Sequence, residues 1–274
     1  MRSGQRVAVV DVGSNSIRLL VSDVIDERPT FVHTDKVMAR IGTSLGHDGR
    51  IDERKIGEVA GIVARFVTDA RRLGAREIRA IATSATREAS NGDELAEHVR
   101  DASGVALEVI DGDEEARLAF VGTLASLDDP QAGAIGVVDV GGGSTEIVVG
   151  SSADGVAWAR SFRLGSGRLS DRFIEHDPPL DGELEQIRQT IDALLPARGD
   201  VPTPDYGLAV AGSATNLKRI VGPLLDAESL TRALRLLSQS PSQQIARQFQ
   251  LEPARARLLP AGALIIEAAM LRLG

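Results

Sequence analysis

Val9-Val10-Asp11-Val12-Gly13 is repeated later in the chain as Val137-Val138-Asp139-Val140-Gly141. In each copy an apolar run leads to the aspartate, and small polar residues and a second apolar run follow the glycine. This order is typical of a strand, a tight turn and a second strand. One Asp-x-Gly turn would be ordinary, but two copies with similar flanks predict that the chain has two related halves.

The two turns have the composition of an anion-binding loop. Glycine lets the backbone of a turn approach a ligand closely, and consecutive N–H groups in such a turn form a concave nest for anions. Asp11 and Asp139 end the first strand of each hairpin, so they are expected to face the same ligand. The physical interpretation is a phosphate held between the hairpins and bridged by a cation to Asp11 or Asp139. Phosphate chemistry is therefore the leading hypothesis.

The composition is that of a globular protein without thiol chemistry. At 274 residues, of which 43% are hydrophobic, the chain suits one large or two medium-sized domains. The absence of cysteine excludes disulfides, cysteine nucleophiles and zinc sites built from thiolates. The histidines show no spacing typical of metal ligands.

Charge and hydropathy argue against two classes of partner. The net charge of −8 argues against general nucleic-acid binding, because such proteins usually display a basic excess or stripe. The first residues lack the pattern of a signal peptide, and no apolar stretch approaches the ~20 residues that span a bilayer. We therefore expect a cytoplasmic protein that binds neither nucleic acid nor membrane.

Hydrophobic periodicity predicts alternating strands and helices in both halves, which describes an α/β fold. A helix is clearest at 52–73, where apolar residues recur every three or four positions and Gly74 stands where a C-terminal cap belongs. Further helices are predicted at 94–100, 113–127, 181–195, 214–221, 228–238, 242–249 and 254–272. Besides the first hairpin, strands are predicted at 78–82, 105–110, 136–140, 145–150, 156–161 and 206–211.

Three segments that follow predicted strands carry further functional groups. Ligands of α/β sheets gather beyond the carboxyl ends of strands, so these segments are candidates for one cleft. Arg87 can make bidentate contacts with a phosphate and Thr86 can donate a hydroxyl hydrogen bond, although a surface arginine in a first helical turn is the structural alternative. The segments are Thr86-Arg87, Asp113-Glu114-Glu115 and Gly212-Ser213-Ala214-Thr215.

The acidic residues offer a general base and a metal site. Asp113 is best explained as a helix cap, whereas Glu114 or Glu115 can orient and deprotonate an attacking water. Asp139 and Glu146 flank the second glycine-rich turn, so both can reach one divalent cation. Magnesium suits such oxygen ligands and also neutralises phosphate.

Five motifs follow one another in a specific order and together cover nearly the whole chain. They are Asp11-Val12-Gly13-Ser14-Asn15-Ser16-Ile17-Arg18-Leu19, Ala82-Thr83-Ser84-Ala85-Thr86-Arg87-Glu88-Ala89, Gly112-Asp113-Glu114-Glu115-Ala116-Arg117-Leu118, Asp139-Val140-Gly141-Gly142-Gly143-Ser144-Thr145-Glu146 and Gly212-Ser213-Ala214-Thr215. This set resembles the exopolyphosphatase/guanosine pentaphosphate phosphatase (Ppx/GppA) family, within the sugar kinase, Hsp70 and actin superfamily.

The resemblance implies an α/β fold of two ribonuclease-H-like domains of the actin-like ATPase type. Each domain is expected to have a mixed sheet flanked by helices, with the active site in the cleft between the domains. We place the domains at residues 1–130 and 131–274. Many relatives continue with a further strand and helix, so the second domain is expected to lack these last elements.

The resemblance also implies an activity and roles for individual residues. The expected reaction is magnesium-assisted hydrolysis of the terminal phosphoanhydride of inorganic polyphosphate, or of the 5′-γ-phosphate of pppGpp. Glu115 matches the family's catalytic glutamate, and Asp139 and Glu146 match its metal-associated acids. Ser14, Asn15, Arg87, Gly142, Gly143, Ser144 and Thr145 match its phosphate-contacting segments, and Asp11 matches its first-domain aspartate. With Thr86, Gly141, Gly212 and Ser213, these residues form the predicted phosphate-binding set.

Two other functions remain open from the sequence. One is an ATP-dependent kinase or ATPase of the same superfamily, although no adenosine-pocket signature is evident. The other is a non-catalytic sensor of polyphosphate or of a guanosine alarmone. Relatives often form dimers, so a homodimer is a candidate assembly.

Overall fold

The computed structural model describes residues 5–25, 28–45, 48–127, 133–195 and 201–274. The chain divides into two compact units, Met1–Asp111 and Gly112–Gly274. The boundary expected between residues 130 and 131 lies outside the described residues. In the described ranges, no helix combines the length and apolar character that crossing a membrane requires.

The first unit is built on a five-stranded mixed sheet. Its strands are β1 (Gln5–Val12), β2 (Ser16–Ile25), β3 (Arg28–Met38), β4 (Glu77–Ala82) and β5 (Leu107–Val109). They lie in the order β3-β2-β1-β4-β5, with β1 antiparallel to β2 and parallel to β4. The helices are α1 (Glu53–Arg72), α2 (Ser84–Glu88) and α3 (Gly92–Ser103), and a 3-10 helix spans Ile41–Ser44.

Helix α1 supplies much of the core of this unit. The Asp52 side chain caps its start by accepting hydrogen bonds from the N–H groups of Arg54 and Lys55. Gly74 adopts a φ of 86° just past its end, which confirms the predicted C-terminal cap. The buried face of the helix joins the apolar strand residues in one cluster, which holds the first hairpin on a rigid support.

The second unit repeats this plan on a four-stranded sheet. Its strands are β6 (Ile135–Val140), β7 (Thr145–Ser151), β8 (Gly155–Phe162) and β9 (Tyr206–Val210), in the order β8-β7-β6-β9. The central strand β6 is antiparallel to β7 and parallel to β9. The helices are α4 (Gly112–Ala125), α5 (Ser166–Phe173), α6 (Asp181–Leu194), α7 (Ala211–Val221), α8 (Ala227–Gln239), α9 (Ser242–Phe249), α10 (Pro253–Ala256) and α11 (Leu259–Leu273).

Apart from Asp139, strand β6 carries no polar side chain, because helices cover both of its faces. Val137 packs with Phe120 of α4 in one cluster, whereas the next residue, Val138, belongs to the large cluster that includes α11. Alternate residues of a strand point to opposite faces, so a strand buried on both sides carries no polar alternation. Because α4 packs on this sheet, it belongs to the second unit and not to the first domain in which the 1–130 boundary would place it.

The two sheets confirm the predicted fold class. In each unit a central strand ends in the repeated pentapeptide, pairs antiparallel with the next strand and runs parallel to a strand that arrives after a helix. Each unit is therefore an α/β layer with a mixed sheet and helices, as the duplication indicates.

Some elements differ from their predicted form. The single helix predicted at 254–272 is wrong, because α10 ends at Ala256 and α11 starts at Leu259 with Pro260 in its first turn. Proline lacks an N–H group, so it suits the start of a helix better than the interior. Strand β5 is shorter than the predicted 105–110, and α7 begins earlier than residue 214. Strand β3 and helix α5 were not predicted.

Candidate active site

The second hairpin brings two acidic side chains side by side. Asp139 near the end of β6 pairs directly with Glu146 at the start of β7. Opposite residues of an antiparallel pair have Cβ atoms about 4.5–5.5 Å apart, so both carboxylates project from the same face. The turn between them closes with a hydrogen bond of 3.0 Å from the Gly141 N–H to the Ser144 carbonyl.

The pKa of the Glu146 carboxyl is strongly raised. The exposed fraction of Glu146 is only 2%, and this burial, together with the charges of Glu115 and Asp139, raises the pKa of Glu146 to about 8. Hydrogen bonds from the Ser161 and Ser144 side chains oppose the shift. The Ser161 hydroxyl lies 2.7 Å from the Glu146 Oε1 atom. A buried carboxylate beside two others needs a proton or a cation to balance its charge.

The structure distinguishes the two glutamates that start helix α4. Glu114 accepts a bidentate contact from Arg117, whose Nε and Nη2 atoms each donate to one Glu114 carboxylate oxygen at 2.7 Å. Glu115, in contrast, lies close enough to Glu146 for its charge to raise the Glu146 pKa. Glu115 therefore belongs to the same electrostatic cluster as Asp139 and Glu146.

Helix α5 fixes the glycine-rich turn that follows Asp139. Both the N–H and the hydroxyl of Ser166 donate to the Gly141 carbonyl, at 2.9 and 3.0 Å. Arg168 donates from its N–H to Gly142 and from Nε to Gly143, at 2.9 and 3.1 Å. The turn is thereby held by four hydrogen bonds from one short helix.

Gly165 permits this close packing. A Cβ atom at position 165 would overlap the carbonyl group of Gly142 and the backbone nitrogen of Gly143. The Thr145 hydroxyl, which was expected to contact phosphate, donates to the Leu164 carbonyl. Thr145 therefore contributes to the support of the turn.

The Gly212-Ser213 segment lies in the first turn of helix α7, directly after strand β9. The Ser213 hydroxyl approaches the Val140 carbonyl at 3.4 Å, so this turn adjoins the end of β6. Ala211 before it has a φ of 64°, a left-handed conformation that is strained for alanine. The structure thus brings Gly212 and Ser213 to the same strand end as Asp139.

The first hairpin has the same type of turn, but the residue opposite its aspartate is positively charged. The Gly13 N–H donates to the Ser16 carbonyl at 3.1 Å, as Gly141 does to Ser144. Asp11 pairs across the strands with Arg18. Loss of solvation raises the pKa of the partly exposed Asp11 carboxyl, and the Arg18 charge lowers it.

Two predicted phosphate-binding residues of the first unit have unsatisfied polar atoms. The Asn15 Nδ2 and Thr86 Oγ1 atoms are buried and have no hydrogen-bond partner among the described residues, where buried polar groups are normally paired. Ser14 does have a partner, because its hydroxyl lies 2.8 Å from that of Ser84. Arg87 donates to the Ile110 carbonyl at 2.8 Å, which fixes its side chain at the end of β5.

Within each unit the predicted residues therefore converge. The first unit gathers its set at the ends of β1 and β4, and the second gathers its set at the ends of β6 and β9. Over the described ranges, no group of three or more His, Asp or Glu residues has the geometry of a complete metal site. Any metal at Asp139 and Glu146 would thus need ligands from water or substrate.

The sequence did not point to several residues that contact the predicted residues or make room for them. They include Ser84, Ser161, Gly165, Ser166 and Arg168. Ser84 stood inside a recognised motif, so its proximity to Ser14 could have been inferred from the two strand ends. The others lie outside the motifs and depend on strand register and on helix α5, which was not predicted.

Several known proteins are similar to this chain in sequence and in fold. The chain is 30% identical over 281 residues to exopolyphosphatase 1 of Mycobacterium leprae, covering 97% of this chain and 82% of that protein. It is 31% identical over 287 residues to exopolyphosphatase 2 of Mycobacterium tuberculosis, covering 96% and 89%. The crystal structure of the Aquifex aeolicus Ppx/GppA family member superposes with a TM-score of 0.80 at 26% identity, covering 98% and 90%. The model of the Ppx/GppA phosphatase family matches residues 20–274, and the chain therefore belongs to this family.

Proposed function

We propose that this chain is a hydrolase that removes terminal phosphate from inorganic polyphosphate, with its chemical centre in the second unit. The observation that carries the proposal is the cluster of Glu115, Asp139 and Glu146 beside a glycine-rich turn. Phosphoryl transfer needs a positioned water, a proton acceptor and compensation for the charge of the phosphate. The cluster and the turn offer groups suited to each of these tasks. The exopolyphosphatase relatives support the same substrate.

Glu115 is the general base of this proposal. It stands in the first turn of α4 and acts electrostatically on Glu146, whereas its neighbour Glu114 is paired with Arg117. A carboxylate in this position accepts a proton from water as the water attacks the terminal phosphorus. The bond to the bridging oxygen then breaks, and the shortened polyphosphate leaves.

Asp139 and Glu146 are the residues that would hold a magnesium ion. Their oxygen atoms suit this hard cation, and two adjacent carboxylates with a neighbouring third favour a positive charge between them. Proteins usually hold magnesium through one or two carboxylates, with water and substrate phosphate completing the coordination. When bound, the ion supplies charge neutralisation to the phosphoryl group.

The remaining predicted residues are assigned to binding phosphate. The unpaired Asn15 and Thr86 donors of the first unit fit an anion, and Arg87 adds positive charge. In the second unit, the turn at 141–144 and the α7 start at Gly212 and Ser213 supply backbone N–H groups, and a helix N-terminus favours an anion. Asp11 is assigned to the phosphate-binding residues of the first unit, where the positive charge of Arg18 offsets the negative charge of Asp11.

The 5′-γ-phosphate of pppGpp presents the same terminal group as polyphosphate, so it is included as a second proposed substrate. Discrimination between the two would rest on contacts remote from the reacting phosphorus.

A cytoplasmic location and a homodimer stay predictions.

The test compares two adjacent glutamates. Phosphate release from polyphosphates of defined lengths and from pppGpp would be measured with magnesium for the wild type, Glu115→Gln and Glu114→Gln. Loss of a general base lowers turnover by about 100-fold to 10,000-fold, so we expect this loss for Glu115→Gln only. Equal turnover of Glu115→Gln and the wild type would show that the base is misassigned.

A further inference from the structure

Ser161 and Glu146 form a cross-strand pair between β8 and β7, next to the second hairpin. Ser161 of β8 lies directly opposite Glu146 of β7, and its hydroxyl is 2.7 Å from the Glu146 Oε1 atom. A serine side chain is short, so it reaches a glutamate carboxylate only where the backbone register brings the two together. The contact is therefore built into the sheet.

The register around this pair is regular. Thr145 pairs with Phe162, and Ile147 pairs with Arg160, on the two sides of the Glu146–Ser161 pair. The irregularity in this ladder lies farther along, between Val149 and Gly150. Since the strand pairing is continuous on both sides of the pair, the Ser161 backbone has a fixed position relative to that of Glu146, and the Ser161 hydroxyl lies within hydrogen-bond reach of the Glu146 carboxylate.

A fixed donor restricts how the buried carboxylate can turn. Glu146 has three side-chain dihedral angles, and a free carboxylate would lose rotational entropy on binding a cation. A hydrogen bond to one carboxylate oxygen removes part of that freedom beforehand. Groups that hold metal ligands in this way affect metal affinity or activity by about 10–100-fold when they are removed.

We propose that Ser161 is a positioning residue that orients the Glu146 carboxylate for a divalent cation. This inference rests on the proposed metal role of Asp139 and Glu146. Ser161 acts through Glu146 and need not touch the substrate. Its removal should therefore change the response to magnesium more than the affinity for polyphosphate.

Strand β7 also provides a matched control at its far end. Ser151 at the far end of β7 donates to the Asp154 Oδ2 atom at 2.9 Å, which is also a serine–carboxylate hydrogen bond, but an exposed one. Ser151→Ala thus removes the same kind of contact away from the acidic cluster. Ser161→Thr keeps a hydroxyl on a strand, where a β-branched residue is well suited.

The experiment measures magnesium binding by calorimetry and phosphate release as a function of magnesium concentration. For Ser161→Ala we expect the magnesium dissociation constant and the half-activating magnesium concentration to rise about 10-fold or more. At saturating magnesium, the KM for polyphosphate should stay near that of the wild type. Ser161→Thr should recover the magnesium affinity, and Ser151→Ala should match the wild type.

The outcomes separate this inference from the proposed function. If the wild type binds magnesium and hydrolyses polyphosphate but Ser161→Ala behaves like Ser151→Ala, Ser161 has no positioning role. If the wild type itself binds no magnesium, the metal role of Glu146 falls, and the role of Ser161 falls with it. Circular dichroism and thermal unfolding show whether Ser161→Ala is misfolded. If it is, the Ser161→Thr variant decides. Magnesium affinity near that of the wild type then supports the role of Ser161, and weakened affinity in a folded Ser161→Thr protein overturns it.

Discussion

Arg18 and Glu146 occupy equivalent positions of the two hairpins and carry opposite charges. Arg18 pairs with Asp11 across β1 and β2, and Glu146 pairs with Asp139 across β6 and β7. The first hairpin thus balances its aspartate within the protein, whereas the second places a second negative charge beside its aspartate. The second hairpin therefore holds two adjacent acidic side chains, whose charge a proton or a cation would balance.

Replacing Glu146 with glutamine should flatten the pH dependence of stability of the metal-free protein. Burial and the neighbouring carboxylates raise the pKa of Glu146 to about 8, from an ordinary 4.5. The folded protein therefore retains a proton that the unfolded chain releases, and stability should fall as the pH rises from about 4.5 to about 8. Above this window, Glu146→Gln should be more stable than the wild type by roughly 1–3 kcal/mol.

Urea unfolding in the presence of a chelator, at several pH values from 4 to about 9, measures this effect. Magnesium should stabilise the wild type most at high pH and should stabilise Glu146→Gln little. A wild-type stability that stays constant across the window would contradict the perturbed pKa.

Thr86→Val should separate substrate binding from stability. The Thr86 side chain is 1% exposed and its hydroxyl has no hydrogen-bond partner in the described protein, so an isosteric valine removes only an unsatisfied group. We expect the unfolding free energy to stay constant or rise by about 1 kcal/mol, while the KM for polyphosphate rises about 10-fold.

Thr34→Val is the control, because the Thr34 hydroxyl donates to the Leu19 carbonyl. That variant should lose stability and keep its KM; an unchanged KM in Thr86→Val would remove Thr86 from the binding site.

Gly165→Ala should impair turnover by displacing the glycine-rich turn. The added methyl group would overlap the backbone of Gly142 and Gly143, and overpacking of this kind costs about 1–3 kcal/mol. A shift of about 1 Å in a site lowers activity by about 100-fold, so turnover should fall strongly even where the protein stays folded. Gly182→Ala in α6 meets open space and should be neutral or stabilising. Steady-state kinetics and thermal unfolding of both variants test this, and normal turnover of Gly165→Ala would show that the turn tolerates movement.

Glu183→Gln should destabilise the second unit, most strongly above pH 4.5. Burial alone would raise the pKa of Glu183, but hydrogen bonds from the His176 side chain and from the N–H groups of Leu180, Glu175 and His176 lower it to about 2. The stabilisation is therefore complete above the ordinary value of 4.5 and is lost as the pH falls toward 2. We expect a loss of about 1–3 kcal/mol at pH 7 in urea unfolding, and little difference from the wild type near pH 2. A difference that persists near pH 2 would point to packing and not to charge.

The sequence reveals those parts of the fold and site that depend on local patterns. The repeated pentapeptide predicted both hairpins because the alternation of apolar strand and glycine turn is a local property. Helix α1 was equally clear, since its apolar spacing, its Asp52 cap and Gly74 all agree. The choice of Glu115 over Glu114 came from the family resemblance, and the Glu114–Arg117 contact gives it an independent physical reason.

Features set by contacts between distant segments could not be read in this way. Ser161 acts on Glu146 only through the β7–β8 register, and Glu183 receives its donors from a loop whose shape no motif describes. Helix α5 is short and follows Gly165, whose need for a small residue arises from the distant Gly142. The split between α10 and α11 was in principle visible at Pro260, but the strongly apolar segment around it favoured one continuous helix.

The hydrogen bonds around the second glycine-rich turn also set the direction of its carbonyl dipoles. The carbonyl groups of four consecutive residues, 140–143, accept hydrogen bonds from Ser213, Ser166 and Arg168. Their oxygen atoms are therefore turned toward protein donors, and their negative ends are partly cancelled before any ligand arrives. A phosphate bound at this turn would meet less repulsion from the backbone than it would at an unsupported turn. In the proposed site, the supporting helices would therefore favour an anionic ligand as well as hold the turn in place.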